Sequence, residues 1–263
     1  MTGRARWVIS SYGILVALVL AGVWITLWRS AGPLAPIGAY TTSLNGRTQD
    51  QIDNVRLAAQ AIQGVVILPG RTFSFNRTVG SWSADAGYKK APVSFSGELV
   101  RDWGGGVCQM STTLYNAALL AGMEIVERHR HYWPARYVEP GRDAAVAFDN
   151  IDLRFSNPYE WPVELSASVC GDRLVARILA RHSPGKRYRI VTSVRGIRPP
   201  SRVTRLDPER PSGRVRTIVS GAPGCDVEVF RIAESPGRKP SRTLISHDVY
   251  PVLHEVVTVG ARP

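Results

Sequence analysis

Residues 101–131 read RDWGGGVCQMSTTLYNAALLAGMEIVERHRH, and the fold is decided in this stretch. Three consecutive glycines lead into Cys108, a run with helical periodicity follows, and Gly122 ends the run. Apolar side chains such as Met110 and Leu114 share one stripe of that helix, which is typical of a helix packed against a core. We therefore predict a central helix that begins near Cys108 and packs on a sheet.

The position of Cys108 favours a reactive thiol. The thiolate is the nucleophilic form, and its pKa, about 8.5 in a free cysteine, falls at a helix N-terminus or beside an imidazolium. The free amides of the first helical turn, including that of Gln109, are predicted to stabilise a developing oxyanion. The preceding glycines allow backbone geometries that a side chain would forbid, and we predict them as binding residues. They are Gly104, Gly105 and Gly106.

Two histidines near the cysteine are the candidate bases. His129 and His131 lie two residues apart, so both imidazoles would face the same side of an extended segment and approach Cys108 together. We assign His131 as the general base and His129 as a binding residue. Asp143 opens the strand-like run DAAVAF and is chosen to orient the imidazole. Equal candidates for that last role are Asp149, Asp152, Asn150 and Asn157.

Three interpretations of this group of residues stay open. In the first, Cys108 is the nucleophile of an acyl-transfer or amide-hydrolase site. In the second, Cys108 is a small hydrophobe in a tight turn, and the protein is a non-enzymatic wall-binding or scaffolding module. In the third, Cys108, His129 and His131 bind zinc, although no second metal-binding motif accompanies them. We assign no metal site and predict no cofactor. Trp103 is predicted to line a saccharide- or peptide-binding surface, with ordinary partial burial as the alternative.

A long uncharged run lies near the N-terminus, over residues 8–28. A helix needs about 20 apolar residues to cross a bilayer, so we predict a single membrane anchor with the main domain extracytoplasmic. The alternatives are a buried helix and a signal peptide cleaved near Ala39. Residues 1–38 are thus predicted as cytoplasmic tip, transmembrane anchor and spacer.

The remaining chain is predicted to contain one mixed domain and one β module. Residues 39–195 combine two helices with many short strands, which indicates an α+β domain with a central helix on a mixed or antiparallel sheet, in a papain-like or transglutaminase-like arrangement. Residues 196–213 contain four prolines and no apolar period, so they are predicted as a basic Pro-rich linker. Short alternating runs over residues 214–263 predict a small all-β module.

The charge of the chain limits its partners. The formal net charge is +12, and residues 181–216 hold eleven Lys and Arg against two acidic residues. An exported basic domain is predicted to bind peptidoglycan or an anionic envelope polymer and no nucleic acid; a solvated linker is the alternative explanation of the basic stretch. Three cysteines allow one disulfide, Cys170–Cys225, which would leave Cys108 free.

Five separated motifs together resemble the VanW family. They are FSFNRTVG, GYKKAPVSFSGELV, GGGVCQMSTTLYNAALLAGMEIVERHRH, YVEPGRDAAVAF and DLRFSNPYEWPV, over roughly residues 40–180. His131 matches the second histidine of that family, and Tyr132 stands where the family usually has a small residue. The resemblance implies an exported or membrane-anchored protein of the bacterial cell envelope, named after an accessory gene of vancomycin-resistance clusters. The tail is similar to the glycine-marked β modules that often follow this domain.

Overall fold

The computed structural model describes residues 32–95, 98–148 and 150–262. Within these ranges the helices are α1 Gln49–Ile62, α2 Phe75–Val79 and α3 Val107–Leu120. The strands are β1 Ala35–Ser43, β2 Val66–Ile67, β3 Thr72–Ser74, β4 Lys90–Phe95, β5 Glu98–Trp103, β6 Glu124–Glu127, β7 Arg154–Ser156, β8 Val163–Cys170, β9 Arg173–Ala180, β10 Arg187–Arg198, β11 Arg202–Pro211, β12 Val215–Val219, β13 Gly224–Glu234, β14 Ser241–Tyr250 and β15 Glu255–Arg262.

Helix α3 is the centre of the first half of the chain. It packs on β1 and β9 of an antiparallel sheet with strand order β1-β9-β8-β2, while α1 packs on β8 of the same sheet. The hairpin of β8 and β9 closes at Cys170 and Arg173, and Gly171 in its turn has a positive φ. Nearly every side chain of α3 is buried, polar ones included, so its hydroxyl and amide groups need partners within the protein.

Helix α1 holds the glycine turn in front of α3. It begins at Thr48 with a capping box, in which the Thr48 hydroxyl and the Gln51 side chain each bind the other residue's backbone amide. The buried Asn54 donates from Nδ2 to the carbonyls of Gly105 and Lys89, both at 2.9 Å. Two elements far apart in sequence are thereby fixed against each other at the start of α3.

The second half of the chain consists of two sheets in succession. The first has strand order β10-β13-β14, and the second has order β11-β15-β12 with β11 and β15 parallel. Residues 196–213, predicted as a linker, lie mostly in β10 and β11. Proline is tolerated in an edge strand because the missing amide would face away from the sheet. Since β11 is such an edge strand, its prolines do not exclude a strand.

The predicted fold class is therefore wrong. Of the residues that the structure describes, 48% lie in strands and 15% in helices, so this part of the protein is mostly β rather than the predicted helix-on-sheet α+β fold, and it contains no membrane helix. The error arises because short apolar runs separated by glycine and proline carry little periodicity, whereas each of them becomes a strand once a distant partner pairs with it.

The prediction of a single-pass membrane protein is also corrected. Within the described ranges the longest helices have 14 residues, and none is long and apolar enough to span a bilayer. A spanning helix needs about 20 residues. The segment assigned to the anchor, residues 8–28, lies outside the described residues.

The cysteines do not form the disulfide considered above. Cys108, Cys170 and Cys225 are all free thiols. Cys170 is exposed at the end of β8, whereas Cys225 is buried in β13, so the two lie in different sheets.

Candidate functional site

The three glycines before α3 form a turn that is tightly packed by its surroundings. Gly106 has a φ of 106°, and a Cβ there would lie 2.6 Å from the Gln51 carbonyl oxygen. A Cβ on Gly105 would lie 2.8 Å from the backbone carbonyl of Ala91. Gly104 has a positive φ as well, and a Cβ there would lie 2.9 Å from the Cβ of Trp82. These contacts explain the glycines through close backbone approach, and they leave a ligand-binding role for Gly104, Gly105 and Gly106 as a prediction.

Cys108 lies in the first turn of α3 and is partly exposed. Its Sγ is 3.3 Å from the Val146 backbone carbonyl oxygen. The thiol also forms a hydrogen bond with the imidazole of His131. Among the described residues no acceptor is found for the Cys108 amide. An unpaired amide at this point of the helix is oriented to donate to an incoming anion.

Gln109 does not present the free amide that the sequence suggested. Its backbone N–H donates to the Gly106 carbonyl at 2.9 Å. Its side-chain Nε2 donates to the Ser43 carbonyl at 2.7 Å, and its Oε1 accepts from Arg47 Nε at 2.8 Å. The whole residue is therefore engaged in joining α3 to β1 and the segment after it, and of these two amides that of Cys108 is the one left without an acceptor among the described residues.

His131 and Asp143 are brought together beside the thiol. The His131 Nδ1 lies 2.7 Å from Asp143 Oδ2, and the His131 backbone amide donates to the same oxygen at 2.6 Å. Because Nδ1 is bound to the carboxylate, Nε2 is the ring nitrogen left for Cys108. This is the order of nucleophile, base and orienting group found in thiol and serine hydrolases.

The charges of these groups support one another. Burial raises the pKa of the Cys108 thiol, but the hydrogen bond and positive charge of His131 outweigh it, and the pKa falls below its ordinary value. Burial lowers the pKa of His131, while Asp143 and Cys108 raise it strongly. For Asp143, burial is outweighed by His131 and Arg128, and the pKa falls to about 2. The three directions together favour the thiolate–imidazolium form of the pair over the neutral thiol and imidazole.

Comparison with known proteins agrees with the sequence motifs. Residues 50–179 match the family model described as VanW like protein, and residues 189–262 match the G5 domain. The chain is 39% identical over 153 residues to Uncharacterized protein YoaR of Bacillus subtilis. It is 30% identical over 148 residues to Vancomycin B-type resistance protein VanW of Enterococcus faecalis. The chain is a VanW-like protein with a C-terminal G5 domain.

The chain spans about half the length of these two relatives. The first match covers 58% of this chain and 50% of YoaR, and the second covers 54% of each protein. Among solved structures, the G5 domain of an IgA1 protease is 23% identical, with 32% of this chain and 98% of that one covered and a TM-score of 0.22. The G5 domain of HP0197 is 21% identical, with coverages of 28% and 95% and a TM-score of 0.17.

Two other predicted site residues lie elsewhere in the VanW-like domain. The His129 imidazole pairs with Glu127 at 3.0 Å instead of approaching Cys108 beside His131. The expected alternation fails because β6 ends at Glu127 and only an isolated bridge follows at His129. Among the described residues no group of His, Cys, Asp and Glu side chains is arranged to hold a metal ion. Trp103 is 38% exposed with the Lys90 ammonium 5.3 Å from its ring centre, so it remains a surface residue.

A separate cavity of about 540 Å³ lies next to the Glu127 pair. Its lining includes Asn76, Phe148 and Asp152 but not Cys108. Asp152, one of the alternatives for the orienting role, is held there by the Ser74 hydroxyl at 2.6 Å. This fixes it on the α2 side of the VanW-like domain and leaves the His131 ring to Asp143.

Sequence reasoning missed the groups that complete the site. Tyr137 donates to the Cys108 carbonyl at 3.3 Å, and burial raises the pKa of its phenol, which therefore stays protonated. Arg128 and Tyr250 both bind Asp143, the latter from the G5 domain. Arg128 directly precedes His129, so its positive charge close to the candidate bases was a signal that the sequence contained. Tyr250 had no sequence feature that linked it to residue 143.

Proposed function

We propose that this VanW-like protein is a cell-wall-associated thiol enzyme that transfers or hydrolyses acyl groups at amide bonds of peptidoglycan peptides. The observation that carries the proposal is the His131 imidazole bound to both Cys108 and the buried Asp143. A structural cysteine needs no such partner, because a packed thiol behaves as a small hydrophobe. An imidazolium beside it gives the sulfur the charge that a nucleophile requires.

The proposed reaction has two halves, formation of a thioester on Cys108 and its release, and Cys108 and His131 act in both. The Cys108 thiolate forms a bond to the carbonyl carbon of the amide, and the Cys108 amide donates to the oxyanion that develops. His131 Nε2 then gives its proton to the leaving nitrogen, the C–N bond breaks, and a thioester remains on Cys108. In the second half His131 takes a proton from water or from an acceptor amine, which displaces the thiol and restores the starting pair.

The cell-wall setting is supported by the second domain and by charge. G5 domains are typically cell-wall or sugar-binding modules, and the chain has a net charge of +12. Carboxylates of stem peptides and anionic wall polymers are attracted to such a protein. The name of the Enterococcus faecalis relative connects that protein to vancomycin resistance.

The direct test is the fate of peptidoglycan peptides incubated with the full chain. Mass spectrometry is expected to find cleaved or newly joined stem peptides and a transient acyl adduct on Cys108. Cys108→Ser should reduce the rate by more than about 1,000-fold, because the nucleophile is lost. Cys170→Ser is the matched control, since that thiol is exposed and far along the chain from the site. Equal turnover by wild type and Cys108→Ser would contradict the proposal.

A second candidate is a wall-binding module without chemistry. The contact of Cys108 Sγ with the Val146 carbonyl favours it, because a carbonyl acceptor stabilises the protonated thiol. In that case sedimentation with purified peptidoglycan is expected to be the same for wild type and Cys108→Ser, and no peptide product is expected from either.

A further inference from the structure

We infer that the G5 domain completes the thiol site, with Tyr250 as a positioning residue that holds Asp143 against His131. This inference rests on the proposed function of Cys108 and extends it to a part of the chain outside the VanW-like domain. It assigns the second domain a role at the reacting groups in addition to any role in wall binding.

The carboxylate of Asp143 is fully buried and accepts four hydrogen bonds. Two of them reach Oδ2, and both come from His131. The other two reach Oδ1, one from the Tyr250 hydroxyl at 2.5 Å and one from Arg128 Nη2 at 3.2 Å. A carboxylate has about four acceptor positions. One of the four positions is therefore filled by the G5 domain through Tyr250, and a second is filled by Arg128 of the VanW-like domain, which is itself bound to Asp248 of the G5 domain.

Tyr250 is fixed in a single role by its surroundings. Its side chain is fully buried, and burial raises the pKa of the phenol, so the hydroxyl stays protonated and donates. The same oxygen accepts the Gly141 amide at 2.9 Å. A Cβ on Gly141 would lie 2.7 Å from both Val227 and Val229 of β13. The turn that leads into Asp143 is thus pressed directly against the G5 domain.

Arg128 extends the connection to a second residue of β14. Its Nη1 binds Asp248 at 2.6 and 2.7 Å, while its Nε donates to the Asp143 carbonyl at 2.6 Å. The side chains of Arg128 and Asp248 are only 6% and 9% exposed. A guanidinium held at both ends in this way cannot turn, so its contact with Asp143 is geometrically fixed.

The expected consequence concerns the imidazole rather than the stability of the domain. Without the Tyr250 hydroxyl, Asp143 Oδ1 loses one donor, and the Gly141 amide loses its acceptor. The carboxylate is then held by three hydrogen bonds instead of four, its bond to His131 Nδ1 is less well oriented, and the imidazolium supports the thiolate less. The charged and titratable groups around this pair are Cys108, Tyr115, Arg128, Arg130, Tyr137 and Asp248, and Tyr250→Phe changes none of them.

The test measures the rate of Cys108 alkylation by iodoacetamide against pH in the full chain. Cys170→Ser serves as the background, and mass spectrometry assigns the alkylated residue. In Tyr250→Phe the pH at which alkylation of Cys108 reaches half of its maximal rate, the alkylation midpoint, is expected to rise toward about 8.5, the pKa of a free cysteine. The hydrogen-bonded His131 Nδ1 proton, followed by NMR, is expected to move upfield and exchange faster. Turnover of peptidoglycan peptides should fall by up to about 100-fold, as misplacement of a catalytic group does.

A matched control separates positioning from simple docking. Arg231 of the G5 domain donates to the Met123 carbonyl of the VanW-like domain at 2.6 Å and does not contact Asp143. Arg231→Gln removes an interdomain hydrogen bond too, and its alkylation midpoint and Nδ1 proton are expected to match those of the background. Equal midpoints and proton shifts in the Tyr250→Phe and background proteins would overturn the inference. If wild type alkylates with a lowered midpoint yet turns over no peptide, the proposed function fails while the positioning role stands.

Discussion

The VanW-like domain and the G5 domain bury their apolar residues in different ways. In the first, α3 lies at the centre of one large cluster that also includes α1, β8 and β9. In the second, the buried cluster contains only Cys225, Val227, Val229 and Tyr250. Those side chains belong to β13 and β14, the strands that contact the Asp143 segment. The G5 domain thus has its small core at the interface, while its outer strands leave residues such as Leu206 and Val215 exposed.

The difference indicates which contacts hold each domain in place. A domain with a large core folds on apolar burial, which is roughly proportional to the area removed from water. A domain of exposed strands with a small cluster depends more on what it docks against. Polar contacts buried at the interface should therefore have effects that similar contacts on the outer strands do not have.

The largest effect is expected from Arg128→Ala. The substitution leaves the carboxylates of Asp143 and Asp248 without their shared partner, and breaking such a buried pair costs about 3–5 kcal/mol. Urea unfolding should show this loss, together with separate transitions for the two domains. Arg189→Ala is the control, because its pair with Glu234 is exposed and should contribute about 1 kcal/mol or less. Similar losses in both variants would show that the interface is no more stabilising than the surface.

A comparison of two leucines tests the cores themselves. Leu114 in α3 is fully buried, whereas Leu206 in β11 is 74% exposed. Leu114→Ala should reduce the free energy of unfolding by about 2–5 kcal/mol through lost burial and a cavity. Leu206→Ala should change it by no more than about 0.5 kcal/mol. Thermal or urea unfolding of the two variants measures both changes. A loss in Leu206→Ala as large as that in Leu114→Ala would contradict the exposed position of Leu206.

The smallest of these effects is an acid dependence set by Asp143. Its folded pKa of about 2 lies below the unfolded value of about 3.9. Between these values the unfolded state binds the extra proton, so stability is fully present above about pH 4 and is lost as the pH falls toward 2, by ~2 kcal/mol. Asp143→Asn should lack this part of the slope when urea midpoints are measured from pH 5 to 2. The half-buried Asp226, which pairs with Arg198, is the control, and Asp226→Asn should keep this part of the slope. A wild-type slope in Asp143→Asn would exclude an ionised, well-bonded carboxylate at residue 143.

Local features of this fold were predictable from the sequence. The capping box at Thr48, the helix that begins beside Cys108 and the hairpin of β8 and β9 all depend on residues within a few positions of one another. Hydrogen bonds at a helix start and the closing turn of a hairpin are local interactions. The sequence offers several candidates for the group beside His131, and only the fold shows that it is Asp143.

Other features depend on distant partners and were not predictable. The prolines of residues 196–213 indicated a linker, because nothing in the sequence shows that β11 is an edge strand beside β15. His129 was expected beside His131, but β6 ends too early for the alternation to continue. Tyr250 reaches Asp143 across 107 residues of chain. Contacts of that separation are set by tertiary packing, and sequence periodicity does not report them.

The position of β15 has a consequence for the order in which the chain folds during synthesis. This strand lies between β11 and β12, and it leaves the ribosome after both of them. The two earlier strands have no neighbour in their sheet until β15 arrives, and pairing across so many residues is slow. The VanW-like domain can therefore collapse around α3 before β15 is synthesised and the sheet of β11, β15 and β12 can form.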